Sequence, residues 1–286
     1  MRVKGCFAFL AVFVIASTAA GDFAGEMLDA TFKFFHPNST ATCFLVRRDE
    51  SDKAHYLVTA AHTLERTKGD TAFVVLRKAK PDGGFDRVDH KITIRSDNKP
   101  LWVRHAKQDV AVLRLTEALP TPVNALPASA LADEAKLKAL KVGICRPLYV
   151  LTYPQRFEAN GAGFPVARHG IFASPPLLPS ATHPTFHGDF TTFAGDSGAP
   201  AFIDGGDEHP VVVGIVIAQS HFEERTKSEY TERTERHPLG MGTILHARYA
   251  SEVIEAAAKE AEPKKTEPKK EEPKNEEPKK DDVKAR

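Results

Sequence analysis

The sequence predicts an all-β protein in two halves, with a helical connector midway and a helix closing the folded body. Three observations predict it. Short apolar or alternating runs rich in Val, Ile, Thr, Phe and Tyr recur along the chain, separated by turn signals, as strands are. Helical spacing of apolar residues appears only twice, so helices do not alternate with strands and a doubly wound α/β sheet is excluded. The first of those two stretches falls between two strand-rich halves, which suits two small barrels or sandwiches.

In chain order the predicted strands are ATCFLV (41–46), HYLVTA (55–60), TAFVVLRKA (71–79), HKITIR (90–95), DVAVLRL (109–115), LYVLTY (148–153), TTFAG (191–195) and VVVGIVIA (211–218). PDGG (81–84) and DGGD (204–207) fit hairpin loops. The helices are SALADEAKLKAL (129–140), with Ser129 as its cap, and ASEVIEAAAKEA (250–261), with Ser251 as its cap.

The two ends differ from this body. Residues 1–20 carry Arg2 and Lys4, then the apolar run FAFLAVFVIA, then small residues: a signal peptide, too short to span a bilayer comfortably, so no integral membrane segment is expected after its removal. Cys6 precedes the apolar run, which does not suit lipid attachment. Residues 259–286 repeat an EPKK-type unit four times, rich in proline and charge and without aromatics, and read as a disordered tail. Its lysines allow weak tethering to an anionic cell envelope. The expected divisions are thus 1–20 signal peptide, 21–125 N-terminal barrel, 126–258 connector and C-terminal barrel, and 259–286 tail. A secreted, periplasmic or cell-envelope protein follows.

With 39 basic and 38 acidic residues the formal net charge is +1, which leaves no basic surplus for nucleic acid. Between the two ends only Cys43 and Cys145 occur, so no disulfide framework carries the fold, and one bridge at most is available. His183 and His187 have i,i+4 spacing, but Pro184 argues against a helix presenting both, and no metal is expected. NST at 38–40 matches a glycosylation acceptor.

FAGDSGAP (193–200) is more than a turn when set beside two other stretches. YLVTAAHTL (56–64) puts His62 just past an apolar strand, and DVAVLRL puts Asp109 just before one. A serine hydroxyl is a poor nucleophile until an imidazole takes its proton, and a buried carboxylate fixes the imidazole tautomer by accepting its other N–H. Gly195 lets the backbone turn so that the N–H groups of Gly195 and Ser197 point the same way, as an oxyanion hole requires.

These three motifs, in the order His, Asp, Ser, resemble the active-site motifs of trypsin-like (chymotrypsin-fold) serine peptidases over roughly residues 28 to 255, and look like a bacterial-type exported member. The resemblance implies two six-stranded antiparallel barrels. It implies His62, Asp109 and Ser197 as catalytic residues, Gly195 and Ser197 as oxyanion donors, and no cofactor. Thr191, Gln219 and Gly242 would line the specificity pocket, and a threonine in place of an acid favours a neutral residue before the cut. The expected function is an exported serine endopeptidase acting on polypeptides through an acyl-enzyme. The alternative is a weak or inactive binding or scaffolding module on the same fold.

The sequence departs from the family at several positions. It lacks the Ile-Val-Gly-Gly start of animal trypsins, whose freed amine pairs with the acid before the serine, here Asp196, so the partner of Asp196 is left open. Thr63 stands where many animal members have a cysteine, Ala199 where glycine is commoner, and Ile217 where a serine usually supports the triad acid. The charged insertion HFEERTKSEYTERTERHPLGMG (221–242) reads as a solvated loop close to the pocket.

Overall fold

The computed structural model describes residues 23–175, 177–206 and 209–261. The leader and residues 262–286 of the expected tail lie outside the described residues, while residues 259–261 end the helix Arg248–Ala261. Strands dominate and form two main sheets. The first runs, in spatial order, Phe85–Thr93, Thr71–Ala79, Thr31–His36, Ser39–Arg47, His55–Thr59, Ala111–Leu115 and Trp102–Arg104, all antiparallel, with Leu126–Pro127 added parallel to Ser39–Arg47. The second runs Val166–Ile171, Pro147–Thr152, Pro200–Asp204, Pro210–Lys227, Glu232–His246 and Thr185–Asp189. Each curls into a half-barrel. This is the chymotrypsin-like fold, with eight strands in the first sheet and six in the second.

Three apolar clusters hold it together. One lies inside the first sheet around Phe34, Leu45, Leu57 and Leu76, and another inside the second around Leu148, Phe186, Val213 and Ile244. The third joins the two sheets: Phe44, Tyr56 and Val112 from the first pack with Phe202, Ile215 and Leu245 from the second. The helix Arg248–Ala261 closes this seam with Tyr249, Val253, Ile254 and Ala257, spaced along one helical face, while its charged residues face out. Strand alternation sends side chains alternately inward and outward, so one sheet feeds both its own core and the seam.

Several local expectations are corrected. TTFAG is a loop, because Gly195 has φ +103 and Phe193 stays exposed. The connector helix is shorter, Glu134–Ala139, and its cap is Asp133, whose carboxylate accepts the Lys136 N–H at 2.7 Å; Ser129 sits in a preceding 3-10 turn. The final helix begins at Arg248, ahead of Ser251. The charged insertion is a β-hairpin arm, paired from His221–Pro238 out to Lys227–Glu232, with a Glu223–Arg236 ion pair across it. Cys43 is buried and Cys145 exposed, and both are free thiols.

Candidate active site

His62 and Asp109 meet because their strands are neighbours. Thr59 pairs with Ala111, so the end of His55–Thr59 and the start of Ala111–Leu115 come together, and each flanking segment carries one of the two residues. His62 lies in the short helix Ala61–Arg66, which has no side-chain cap of its own; Asp109 Oδ1 accepts the His62 backbone N–H at 2.9 Å instead. Asp109 Oδ2 lies 2.6 Å from His62 Nδ1, and His62 Nε2 lies 3.0 Å from Ser197 Oγ. Ser197 comes from the second sheet, on the loop leading into Pro200–Asp204.

Burial pushes the Asp109 carboxyl up, but the hydrogen bonds from the His62 ring and backbone N–H outweigh it, so the group titrates below its ordinary 3.8. In the unfolded chain the carboxyl binds its proton at the higher pH. The stability from this contact is therefore complete above pH 3.8 and is lost as the pH falls through the lower folded value. Asp109→Asn should flatten that acid limb in a melting series taken across it; an unchanged limb would show that Asp109 contributes none of it.

The serine loop is held from both sheets. Thr42, on Ser39–Arg47, donates its backbone N–H to Ser197 O at 2.9 Å and its hydroxyl to Gly195 O at 2.9 Å, while accepting the Tyr153 N–H at 3.2 Å. The Ala194 carbonyl accepts the Gln155 N–H at 2.7 Å, with Gln155 in left-handed backbone at φ 51. Because C=O and N–H of a trans peptide point opposite ways, this turns the Gly195 N–H away from Gln155. Among the described residues neither the Gly195 nor the Ser197 N–H donates to another protein group. Gly195 tolerates no side chain: a Cβ would stand 2.3 Å from the Tyr153 carbonyl oxygen. Gly195→Ala should cost about 1–3 kcal/mol from backbone strain, with the clash on top. Melting temperature reads the loss, and a variant as stable as the parent would disprove the close approach.

The open question of Asp196 has an answer that the sequence reading missed. The carboxylate is buried, and Oδ2 accepts hydrogen bonds from Arg168 Nη2 and from the Phe193 N–H, the latter at 2.8 Å. Arg168 stands on Val166–Ile171; it also donates to Thr152 Oγ1 at 2.8 Å and to the Thr191 carbonyl, and lies over the Phe193 ring. Burial still raises the Asp196 carboxyl above its ordinary value, against the guanidinium, which lowers it. The sequence signal was an acid beside the serine with no cation assigned to it.

Of the expected pocket residues, Gln219 and Gly242 face each other across the hairpin, and Gln219 Nε2 donates to Thr192 O at 2.8 Å, next to Thr191. Space there is short: a Cβ on Gly242 would lie 2.8 Å from both the Phe190 ring and Thr192 Cγ2. The open space lies elsewhere. A cleft of about 380 Å³ extends from Ser197 past His62, Thr63 and Arg66 on one side and past Gly195, Gln155 and Arg156 on the other.

Two curled sheets, with the histidine and acid from one and the serine from the other, are those of a chymotrypsin-like serine peptidase. The chain belongs to the trypsin-like peptidase domain family, whose sequence model matches residues 41–215. Among solved structures it is similar to Rv3671c from M. tuberculosis H37Rv, in the inactive form of a serine-to-alanine mutant, at 16% identity and a TM-score of 0.45 over 85% of this chain and 93% of that one. A second structure, the inactive form of the Rv3671c protease, is similar at 16% identity and a TM-score of 0.44 over 83% of this chain and 93% of that one. No curated protein matches the sequence. No helix among the described residues is long and apolar enough to cross a membrane.

Proposed function

We propose that the chain is an exported serine endopeptidase that cleaves polypeptides through an acyl-enzyme. Ser197 is the nucleophile, His62 the general base and then acid, and Asp109 the orienting group. The observation that carries this reading is the unbroken relay from Asp109 Oδ2 to His62 and on to Ser197 Oγ, at 2.6 and 3.0 Å. With the Nδ1 proton held by Asp109, Nε2 is the acceptor facing the hydroxyl. As Oγ attacks the carbonyl carbon, its proton passes to Nε2 and the carbonyl electron pair moves onto oxygen, toward the N–H groups of Gly195 and Ser197. Collapse of the adduct breaks the C–N bond, and the Nε2 proton leaves with the amine. Water then repeats the sequence to free the acid. The scheme needs no cofactor.

The crowding at Phe190, Thr192 and Gly242 favours a small neutral residue before the cut. The N-terminal pattern supports export to the periplasm, envelope or medium, and the lysine-bearing tail supports weak envelope tethering. A fluorophosphonate probe on the purified chain tests the reading: peptide mass mapping should find the label on Ser197 in the parent and nowhere in Ser197→Ala. A folded sample that takes no label would sink it. The binding-module reading would then stand, favoured by Ile217, which packs against the inter-sheet core and offers Asp109 no hydroxyl.

A further inference from the structure

We propose that the cleft beside Ser197 selects for acidic side chains in the leaving half of the substrate, so that cuts fall just before Asp or Glu, with Arg66 and Arg156 as the selecting residues. This rests on the peptidase reading. A peptide across Ser197 lays its acyl half and its leaving half on opposite sides of the hydroxyl. The acyl side is the crowded one, where Gln219, Gly242 and Thr192 stand. His62 must hand its proton to the departing amine, so the leaving half lies on the histidine side, where the cleft opens.

That cleft carries two guanidiniums and no carboxylate. The Arg66 side chain makes no hydrogen bond or ion pair among the described residues. Arg156 gives one bond, Nη2 to the Pro37 carbonyl at 3.0 Å, which leaves other N–H donors of its fork free. The nearest acids in sequence are engaged elsewhere: Glu65 pairs with Arg104, and Glu158 with Lys33 and Arg87. Planar forks on both sides of a cleft suit a carboxylate, which takes paired N–H donors.

The test gives the full chain a proteome-derived peptide library and counts the residues that follow each cut. Asp and Glu should exceed Asn and Gln in the first two positions by about tenfold, the size of one charge-assisted hydrogen bond partly exposed to solvent. The excess should shrink as salt rises. It should vanish in Arg66→Ala/Arg156→Ala and survive in part in Arg66→Lys/Arg156→Lys. Each ratio is taken within one protein, so a change in overall rate does not enter. No excess in the parent, or an excess that the double alanine variant keeps, overturns the proposal. If cuts instead gather one or two residues from free chain ends and stop when those ends are amidated, a terminal carboxylate is what binds, and the side-chain assignment falls. Failure of the peptidase reading is read separately, from binding of Asp- and Asn-containing peptides to Ser197→Ala. Tighter binding of the Asp peptide by about tenfold supports the cleft even where the parent cuts nothing, and equal binding overturns it.

Discussion

Arg168→Met should lower stability by about 3–5 kcal/mol, the range for removing one partner of a buried ion pair, and should slow fluorophosphonate labelling of Ser197. The cause is the carboxylate left behind. The Asp196 side chain is 1% exposed, and without the guanidinium its negative charge has only neutral donors to face, the Phe193 N–H and the Thr152 hydroxyl. The same arginine also braces Thr152 Oγ1 and the Thr191 carbonyl, so its removal loosens the loop that orients the Gly195 and Ser197 N–H groups. Lysine should recover only part of the loss, because a single ammonium cannot reproduce the fork. Arg168→Met/Asp196→Asn should be more stable than Arg168→Met, since it buries no unpaired charge. The pH dependence has a definite sign. A carboxyl raised in the folded state binds its proton there first, so the deficit of Arg168→Met should shrink as pH falls toward that raised value and grow above it. Denaturant melts of the four proteins decide this. A single variant within about 1 kcal/mol of the parent, as a surface pair would give, means that Arg168 does not anchor Asp196.

Arg168 gives Asp196 a cationic partner from within the folded chain, at the place where the resemblance to animal trypsins implied a freed N-terminal amine. The unusual backbone beside the serine is pinned by neighbours: the Thr42 hydroxyl donates to the Gly195 carbonyl, and left-handed Gln155 donates its N–H to the Ala194 carbonyl.

This division also explains what was legible in the sequence. His62, Asp109 and Ser197 each stand in a local pattern, a strand end beside small or turn residues, and local patterns survive in one dimension. Arg168 does not. It lies 28 residues from Asp196, in a short basic stretch that looks like any solvated surface, and only the pairing of Pro147–Thr152 with Val166–Ile171 brings it near. Thr42 was hidden differently, inside a strand read for its apolar residues. The hairpin arm misled because strand signals are apolar, whereas its strands are held by backbone pairing and by opposite charges across the ladder. Phe85–Thr93 was caught only in part for a related reason, since most of its side chains are exposed and polar.

Asp109→Asn should reduce turnover and the labelling of Ser197 by about 10⁴-fold, with the fold intact. The geometry explains why an isosteric change costs so much. Asp109 accepts two N–H groups of the same residue, the His62 backbone on Oδ1 and ring Nδ1 on Oδ2. An amide has one oxygen and one NH2 in their place. If the oxygen stays with the backbone N–H, the NH2 meets Nδ1, which must then be bare. The ring proton moves to Nε2, and Nε2 can no longer take the Ser197 proton. If the amide turns the other way, the backbone N–H loses its acceptor and two donors face each other. The first arrangement keeps the helix start of Ala61–Arg66 satisfied, so stability at neutral pH should fall by no more than about 1–3 kcal/mol while catalysis collapses. Asp109→Ala removes both acceptors and should be the less stable variant of the two. Labelling rates for Asp109→Asn within tenfold of the parent would mean that another group fixes the His62 tautomer. Ile217 makes this comparison informative, because no serine stands there to share the work, so the His62 contacts and the neighbouring Ala61 backbone N–H set how firmly Asp109 is held.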